Sequence, residues 1–151
     1  MSIFAFKPTC TGNFRREEYA ILECILGVRV ISGADMAALA IERVDVTVID
    51  RLREHGLRAD ELSFVIPRRT LSHRRQQHQR LSTDESDKAI RLARIIAQAT
   101  ATFGNREKAI EWLRTSHRQF ADRTGLDMTS SEHGARLVEE ALVQVDEGYF
   151  A

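Results

Sequence analysis

Apolar residues recur at intervals of three and four along most of this chain, which is the spacing of amphipathic helices. The pattern predicts a first helix over residues 14–26, stopped by Gly27, and a short second helix capped by Ser32. The stretch 44–55 contains several β-branched residues, but its apolar positions keep the helical spacing and Gly56 follows as a C-cap. Three helices are therefore expected before residue 57.

A tight corner follows these helices. Asp60 and Glu61 open a short apolar helix that runs to Ile66, and Pro67 begins a new helix one residue later. Proline is tolerated in a first helical turn because its missing N–H would be unpaired there. A short helix, a corner and a second helix at about 60–77 have the form of a helix-turn-helix, with Leu71 facing the core. The opposite face then carries four polar residues: Arg69, Ser72, His73 and Gln76.

The second half of the chain has clear helix-start signals. Ser82 and Glu85 form a capping box for a long helix that ends at Gly104, and Asn105 caps a shorter one. Residues 115–128 have no stable period and are expected to form an irregular connector.

A second capping box, from Thr129 to Glu132, predicts the last helix, which Gly148 stops. Five apolar residues are expected to face inward from this helix: Leu137, Val138, Ala141, Leu142 and Val145.

Two Pro and eight Gly provide too few turns for a many-stranded sandwich or barrel. The fold class is therefore predicted to be all-α.

Composition narrows the classes of protein further. With 43% apolar and 29% charged residues in 151, the chain fits a globular protein with one core or two small helical units. Cys10 and Cys24 lie in no metal-binding spacing, and the short apolar run at the start is no signal or membrane-spanning segment. We therefore expect a cytoplasmic protein without membrane contact.

Residue groups typical of catalysis are missing from the sequence. There is no Gly-rich phosphate loop, no Ser/His/Asp arrangement and no metal-binding pattern, so we expect no enzyme activity. His55, His117 and His133 have no partner at ligand spacing and are interpreted as surface or capping groups.

Charge is unevenly distributed although the formal net charge is zero. Residues 62–83 contain no Asp or Glu but five Arg, whereas residues 127–151 hold six acids against Arg136. A surface that only keeps a protein soluble carries acidic and basic side chains interleaved. The stretch without acids therefore favours DNA binding over a merely solvated face. Arg68 and Arg69 are expected to reach base edges, and Arg74, Arg75 and Arg80 to reach phosphates. The predicted DNA-binding residues are Arg68, Arg69, Ser72, His73, Arg74, Arg75 and Gln76.

Short motifs occur in order from about Glu61 onward. They are Ile66-Pro67-Arg68-Arg69-Thr70-Leu71, Arg80-Leu81-Ser82-Thr83-Asp84-Glu85-Ser86-Asp87, Arg91-Leu92-Ala93-Arg94, Phe103-Gly104-Asn105-Arg106-Glu107-Lys108-Ala109, Trp112-Leu113-Arg114-Thr115, Arg123-Thr124, Leu126-Asp127, Gly134-Ala135-Arg136-Leu137-Val138-Glu139 and Gly148-Tyr149-Phe150. In this set the chain resembles the Xre/MbcA/ParS family of antitoxins.

The resemblance implies a domain plan and partners. A loosely ordered start (1–13) would precede a helical DNA-binding and dimerisation region (14–81) and a toxin-binding domain (82–151). The implied partner is a RES-domain toxin that consumes NAD and is held inactive while this domain covers its active site. The chain itself would need no cofactor. It would form a homodimer that binds its own operator DNA, and the toxin would join a larger repressing complex.

This chain departs from the family pattern at several positions. Family members often carry Pro where it has Ser116 and Gly125, and two glycines where it has Ala121-Asp122. A glycine expected at the corner of the helix-turn-helix is Val65 here, which would resist a left-handed turn.

Five residues are expected to contact the toxin: Arg123, Thr124, Asp127, Tyr149 and Phe150. Terminal aromatic residues bind well in a partner's pocket, but the two in the tail could equally fold back onto this chain's own core. The polar groups of the connector could instead satisfy local backbone, which for Asp127 is slightly favoured. Two alternative functions remain open: a plain transcriptional repressor without a toxin, and an adaptor or enzyme unrelated to DNA.

Overall fold

The computed structural model describes residues 14–148 and confirms the all-α prediction, with one very short hairpin as the exception. The helices are α1 (Phe14–Leu26), α2 (Gly33–Glu42), α3 (Thr47–Glu54), α4 (Arg68–Gln76), α5 (Thr83–Phe103), α6 (Arg106–Arg114), α7 (Gly125–Met128) and α8 (Glu132–Asp146). The strands are β1 (Ser116–His117) and β2 (Arg123–Thr124), and single 3-10 turns span Ala59–Leu62 and Arg118–Phe120. The predictions for 1–13, Tyr149 and Phe150 lie outside the described residues.

Helix α5 is the central element of the fold. It packs against α1, α2 and α3 and also against α6 and α8. Its apolar residues Leu92, Ile95 and Ile96 are fully buried, and one continuous hydrophobic core extends from Leu22 to Leu142. Burial of this apolar surface is the main favourable contribution to the fold. None of the helices in the described range is long and apolar enough to cross a membrane.

The predicted caps of α2, α5 and α6 are confirmed. The Ser32 hydroxyl accepts from the Asp35 amide, and the Asn105 side chain accepts from the Lys108 amide. At the start of α5, the Glu85 amide donates to the Ser82 hydroxyl at 3.1 Å, and the Ser82 amide donates to the Glu85 carboxylate at 2.7 Å. This reciprocal pair satisfies two amides that a helix N-terminus otherwise leaves unpaired.

The predicted capping box from Thr129 to Glu132 is wrong. The N-cap of α8 is Ser131, whose hydroxyl accepts from the Gly134 amide at 3.0 Å. Thr129 is fully buried and donates to the Gly125 carbonyl oxygen, so its hydroxyl belongs to α7. Glu132 pairs with Arg91 of α5 at 3.1 Å. The N-cap lies two residues later than predicted because the hydroxyls of Thr129 and Ser130 form hydrogen bonds in the turn that ends α7.

One inward position predicted for α8 is also wrong. Leu137 is 44% exposed, whereas Val138 and Leu142 are fully buried. At about 100° per residue, Leu137 is rotated away from the direction shared by Val138 and Leu142. A helix with adjacent apolar residues does not indicate from sequence alone which of them lies at the edge of the buried face.

The connector is more ordered than the sequence predicted. Strands β1 and β2 pair in antiparallel register, with Ser116 opposite Thr124. Phe120, between them, is 2% exposed and packs edge-on against Trp112. The tight reversal is made by Ala121 and Asp122, whose φ values of 53° and 63° lie in the left-handed region. Glycine would suit both positions better, because it has no Cβ to clash in this conformation.

The left-handed conformation of Ala121 leads to a stability prediction. Replacing Ala121 by Gly removes a steric cost of about 1–2 kcal/mol, offset by a larger loss of chain entropy on folding of about 0.4–1 kcal/mol. We expect Ala121→Gly to stabilise the protein by about 0.5–1 kcal/mol, measured by urea unfolding. The matched control is Ala38→Gly in the exposed interior of α2, which should destabilise by about 1 kcal/mol. Equal losses in both variants would refute strain at residue 121.

Candidate functional site

The segment between α3 and α5 places α4 on the surface of the protein. Leu62, Val65 and Ile66 are each at most 3% exposed and fix the corner in the core, and Leu71 packs partly buried from α4. The helix predicted before the corner is wrong in type: it is one 3-10 turn, Ala59–Leu62, followed by turns. Proline disfavours helical backbone in the preceding residue, which explains why the helix does not continue to Ile66.

Val65 fits this corner without strain. It is 1% exposed, and it is not among the residues with positive φ in the described part of the chain. The corner of this protein therefore uses an apolar anchor at residue 65 and needs no left-handed turn there.

The outward face of α4 is basic and polar. Arg68 and Arg69 occupy its first turn, and Ser72, His73 and Gln76 follow on the exposed side. Within residues 14–148, the side chains of these five residues form no hydrogen bond or ion pair. The structure thus brings together the group predicted at the protein surface and leaves it free to bind a ligand.

Two other arginines of α4 are paired with acids from outside the acid-free stretch. Arg74 donates to both oxygens of Glu85 in α5, at 3.1 and 3.3 Å, and is 22% exposed. Arg75 donates to Asp50 of α3 at 2.8 Å. Burial raises the pKa of the Glu85 carboxyl, but hydrogen bonds from Ser82 and Arg74 hold it below its usual value. Part of the local positive charge is therefore used to orient α4, which charge counting along the sequence missed.

The chain leaving α4 is held by a reciprocal contact between two arginines. Arg43 Nε donates to the Leu81 carbonyl oxygen at 2.7 Å, and Arg80 donates to the Arg43 carbonyl oxygen at 3.1 Å. The Leu81 amide also donates to the Val44 carbonyl oxygen at 3.0 Å. Sequence reasoning gave no role to Arg43, because its partners lie almost forty residues away in the sequence.

The predicted residues Arg123, Thr124 and Asp127 line one groove of about 600 Å³. The opposite wall comes from the helix-turn-helix segment and includes Asp60 and Phe64. Thr124 caps α7 by accepting from the Asp127 amide at 3.1 Å, which is the local alternative that the sequence left open for this residue. The local role slightly favoured for Asp127 is not seen, because its carboxylate forms no hydrogen bond among the described residues. The side chains of Arg123 and Asp127 are exposed, so both remain free to meet a partner.

A partly buried ion pair joins the two walls of this groove. Arg114 donates to both oxygens of Glu61 at 2.8 Å, and the Glu61 side chain is 9% exposed. Burial raises the pKa of Glu61, but hydrogen bonds from Arg114 and from the Arg58 amide hold it below its usual value. The pair is thus charged at neutral pH, and its contribution to stability is lost as the pH falls through the lowered pKa.

Helix α8 lies between the groove-forming segment and the end of the described chain. Helix α8 begins next to α7 and has 15 residues, which corresponds to a length of about 22 Å. Gly148, the last described residue, lies beyond its far end.

Comparison with known families assigns both halves of the chain. Residues 35–94 match the antitoxin Xre-like helix-turn-helix domain, and residues 98–148 match the antitoxin Xre/MbcA/ParS C-terminal toxin-binding domain. The antitoxin Xre of Pseudomonas putida is 40% identical over 139 residues, covering 91% of this chain and 87% of the relative. The chain belongs to the Xre family of antitoxins. The resemblance found in the sequence is thereby confirmed, and the exposed face of α4 lies within the helix-turn-helix match.

Two more distant Xre antitoxins agree with this assignment. The relative from Photorhabdus laumondii is 26% identical over 121 residues, 78% of this chain and 82% of its own length. The relative from Yersinia enterocolitica is 30% identical over 87 residues, 57% of this chain and 59% of its own length. One family match ends at residue 94 and the other begins at residue 98, both inside α5, so this helix connects the two matched domains.

Proposed function

We propose that this chain inhibits a RES-domain toxin that consumes NAD, by covering the toxin's active site, and represses its own operon through the helix-turn-helix. The proposal rests on one combined observation: both family domains occur in this chain, and α4 presents an exposed basic face without ion-pair partners. In this account the protein is a cytoplasmic homodimer with no catalytic activity, and it works inside a larger complex with the toxin.

The DNA-binding part of the proposal rests on the outward face of α4. Arg68 and Arg69 lie in the first helical turn, where a guanidinium can bond to both O6 and N7 of guanine in the major groove. Ser72, His73 and Gln76 extend the same face. We assign Arg75 to a phosphate contact as well, because it is 44% exposed.

Arg74 has a different balance of roles. It is 22% exposed and bound to Glu85 through two hydrogen bonds, so its main contribution is to hold α4 against α5. Its remaining exposed surface can still approach a phosphate.

The toxin-binding part rests on residues inside the C-terminal match. Arg123 and Asp127 present one positive and one negative side chain at the groove, and Thr124 fixes the backbone between them. Tyr149 and Phe150 follow directly after the matched range and supply the aromatic side chains that would enter the toxin. A bound toxin would therefore contact the groove, α8 and the tail.

Removing the tail separates the two activities. A variant that lacks residues 148–151 should bind operator DNA with unchanged affinity, because α4 and its supports are intact. Its protection of growth against the co-expressed toxin should fall by at least about tenfold, since burying one aromatic anchor contributes 1.4 kcal/mol or more. The control is a variant that keeps these residues but carries Cys24→Ser on the exposed side of α1. Full protection by the shortened chain would refute a role of the tail in inhibition.

A further inference from the structure

Two large apolar side chains are exposed on α8. Leu137 and Val143 are each 44% exposed, although the other face of the helix buries Val138 and Leu142 completely. Within the described residues 98–148 they are the only large apolar side chains with this degree of exposure. Two such groups in contact with water contribute little hydrophobic stabilisation to the fold. Exposed large apolar side chains of this kind are typical of a surface that binds a partner.

An acidic side chain lies between them. Glu140 is exposed and is three residues from both Leu137 and Val143, so the three follow one row across the outer face of α8. Glu147 is exposed one turn beyond Val143. The remaining acids of α8 are used internally. Glu132 pairs with Arg91 and Arg94, Glu139 pairs with Arg94, and Asp146 accepts from the Thr102 hydroxyl.

The charge of this face decides between two kinds of partner. In the described chain Glu140 and Glu147 have no ion-pair partner, and Arg136 is the one Arg or Lys of α8. Two copies of this chain joined through α8 would bring like charges together, which opposes association. A partner with an apolar patch bordered by basic side chains fits instead.

We propose that the outer face of α8, centred on Leu137, Glu140 and Val143, is a docking surface for the toxin. This inference rests on the proposed function and adds the location and chemistry of the contact. The face lies within the toxin-binding match and runs to Gly148, where the chain continues into Tyr149 and Phe150. The toxin surface that meets it is apolar at its centre and basic at its border.

The test replaces both apolar groups without changing charge. The double variant Leu137→Ser/Val143→Ser is compared with Ile31→Ser/Ile41→Ser, whose residues are 71% and 75% exposed and lie outside the toxin-binding match. The purified full-length proteins are titrated with a catalytically inactive variant of the RES-domain toxin that the proposed function assigns as the partner. We expect the α8 variant to bind at least about 30-fold more weakly, with unchanged operator binding and thermal unfolding, and the control to bind like the wild type.

Each result has a distinct meaning. Equal toxin affinity of the α8 variant and the wild type overturns the docking surface but leaves the proposed function intact. A changed oligomeric state of the α8 variant with unaltered toxin binding also overturns it, since the face would then serve a second copy. No toxin binding by the wild type itself refutes the proposed function and, with it, this inference.

Discussion

Replacing Gly134 by Ala is expected to destabilise the protein by about 3 kcal/mol, which lowers the melting temperature by about 6–12 °C for a chain of this size. Gly134 lies in the first turn of α8 and is buried. A Cβ at this position would overlap the Met128 carbonyl group. The same Cβ would lie 3.0 Å from the Cα atom of Met128. Because Met128 ends α7, the clash would separate α8 from the groove-forming segment. Differential scanning calorimetry measures the effect.

A matched substitution shows that the effect belongs to this contact. Gly33, at the start of α2, has no atom within 4 Å of the position that a Cβ would occupy. Gly33→Ala should therefore leave stability unchanged or raise it by less than about 1 kcal/mol. If Gly134→Ala melts within one degree of the wild type, the close approach of α8 to Met128 is not a constraint in solution.

The second large effect is expected in operator binding. Arg68→Ala/Arg69→Ala removes two exposed guanidinium groups from the first turn of α4, while the internal pairs of α4 with Glu85 and Asp50 stay in place. A good bidentate contact to a base contributes about 1–3 kcal/mol, so the double variant should bind its operator at least about 30-fold more weakly. Fluorescence anisotropy at several salt concentrations measures both the affinity and its salt dependence.

The control removes the same charge elsewhere. Arg118 and Arg136 are exposed and lie in the toxin-binding match, outside α4. Arg118→Ala/Arg136→Ala should leave operator affinity nearly unchanged. Each phosphate contact contributes about 0.9 to the slope of log affinity against log salt. If both double variants lose affinity equally, only net charge matters and α4 does not read the operator.

Helix positions could be predicted from the sequence because their signals are local. The caps at Ser32, Ser82 and Asn105 each join residues three apart, so the sequence pattern contains the whole interaction. The box at Thr129 failed because its hydroxyl is used by α7, a helix of four residues that periodicity cannot detect. The hairpin at 116–124 was missed for the same reason: its strands have two residues each.

Contacts between distant segments could not be predicted from one sequence. The five arginines of 62–83 were correctly recognised as a basic group, but the acids that pair with Arg74 and Arg75 come from α5 and α3. Likewise, nothing near Arg114 indicates that it reaches Glu61, 53 residues away. Such pairs depend on how the helices pack, and packing is not encoded in local spacing.

Cellular NAD, measured while the neighbouring gene, which we propose to encode the RES-domain toxin, is expressed with and without this chain, tests the central claim most directly. The account predicts that NAD falls and growth stops when the neighbour is expressed alone, and that both stay normal when this chain is co-expressed. If the neighbour leaves NAD and growth unaffected on its own, or if NAD falls equally with this chain present, the proposed inhibition of an NAD-consuming toxin is contradicted.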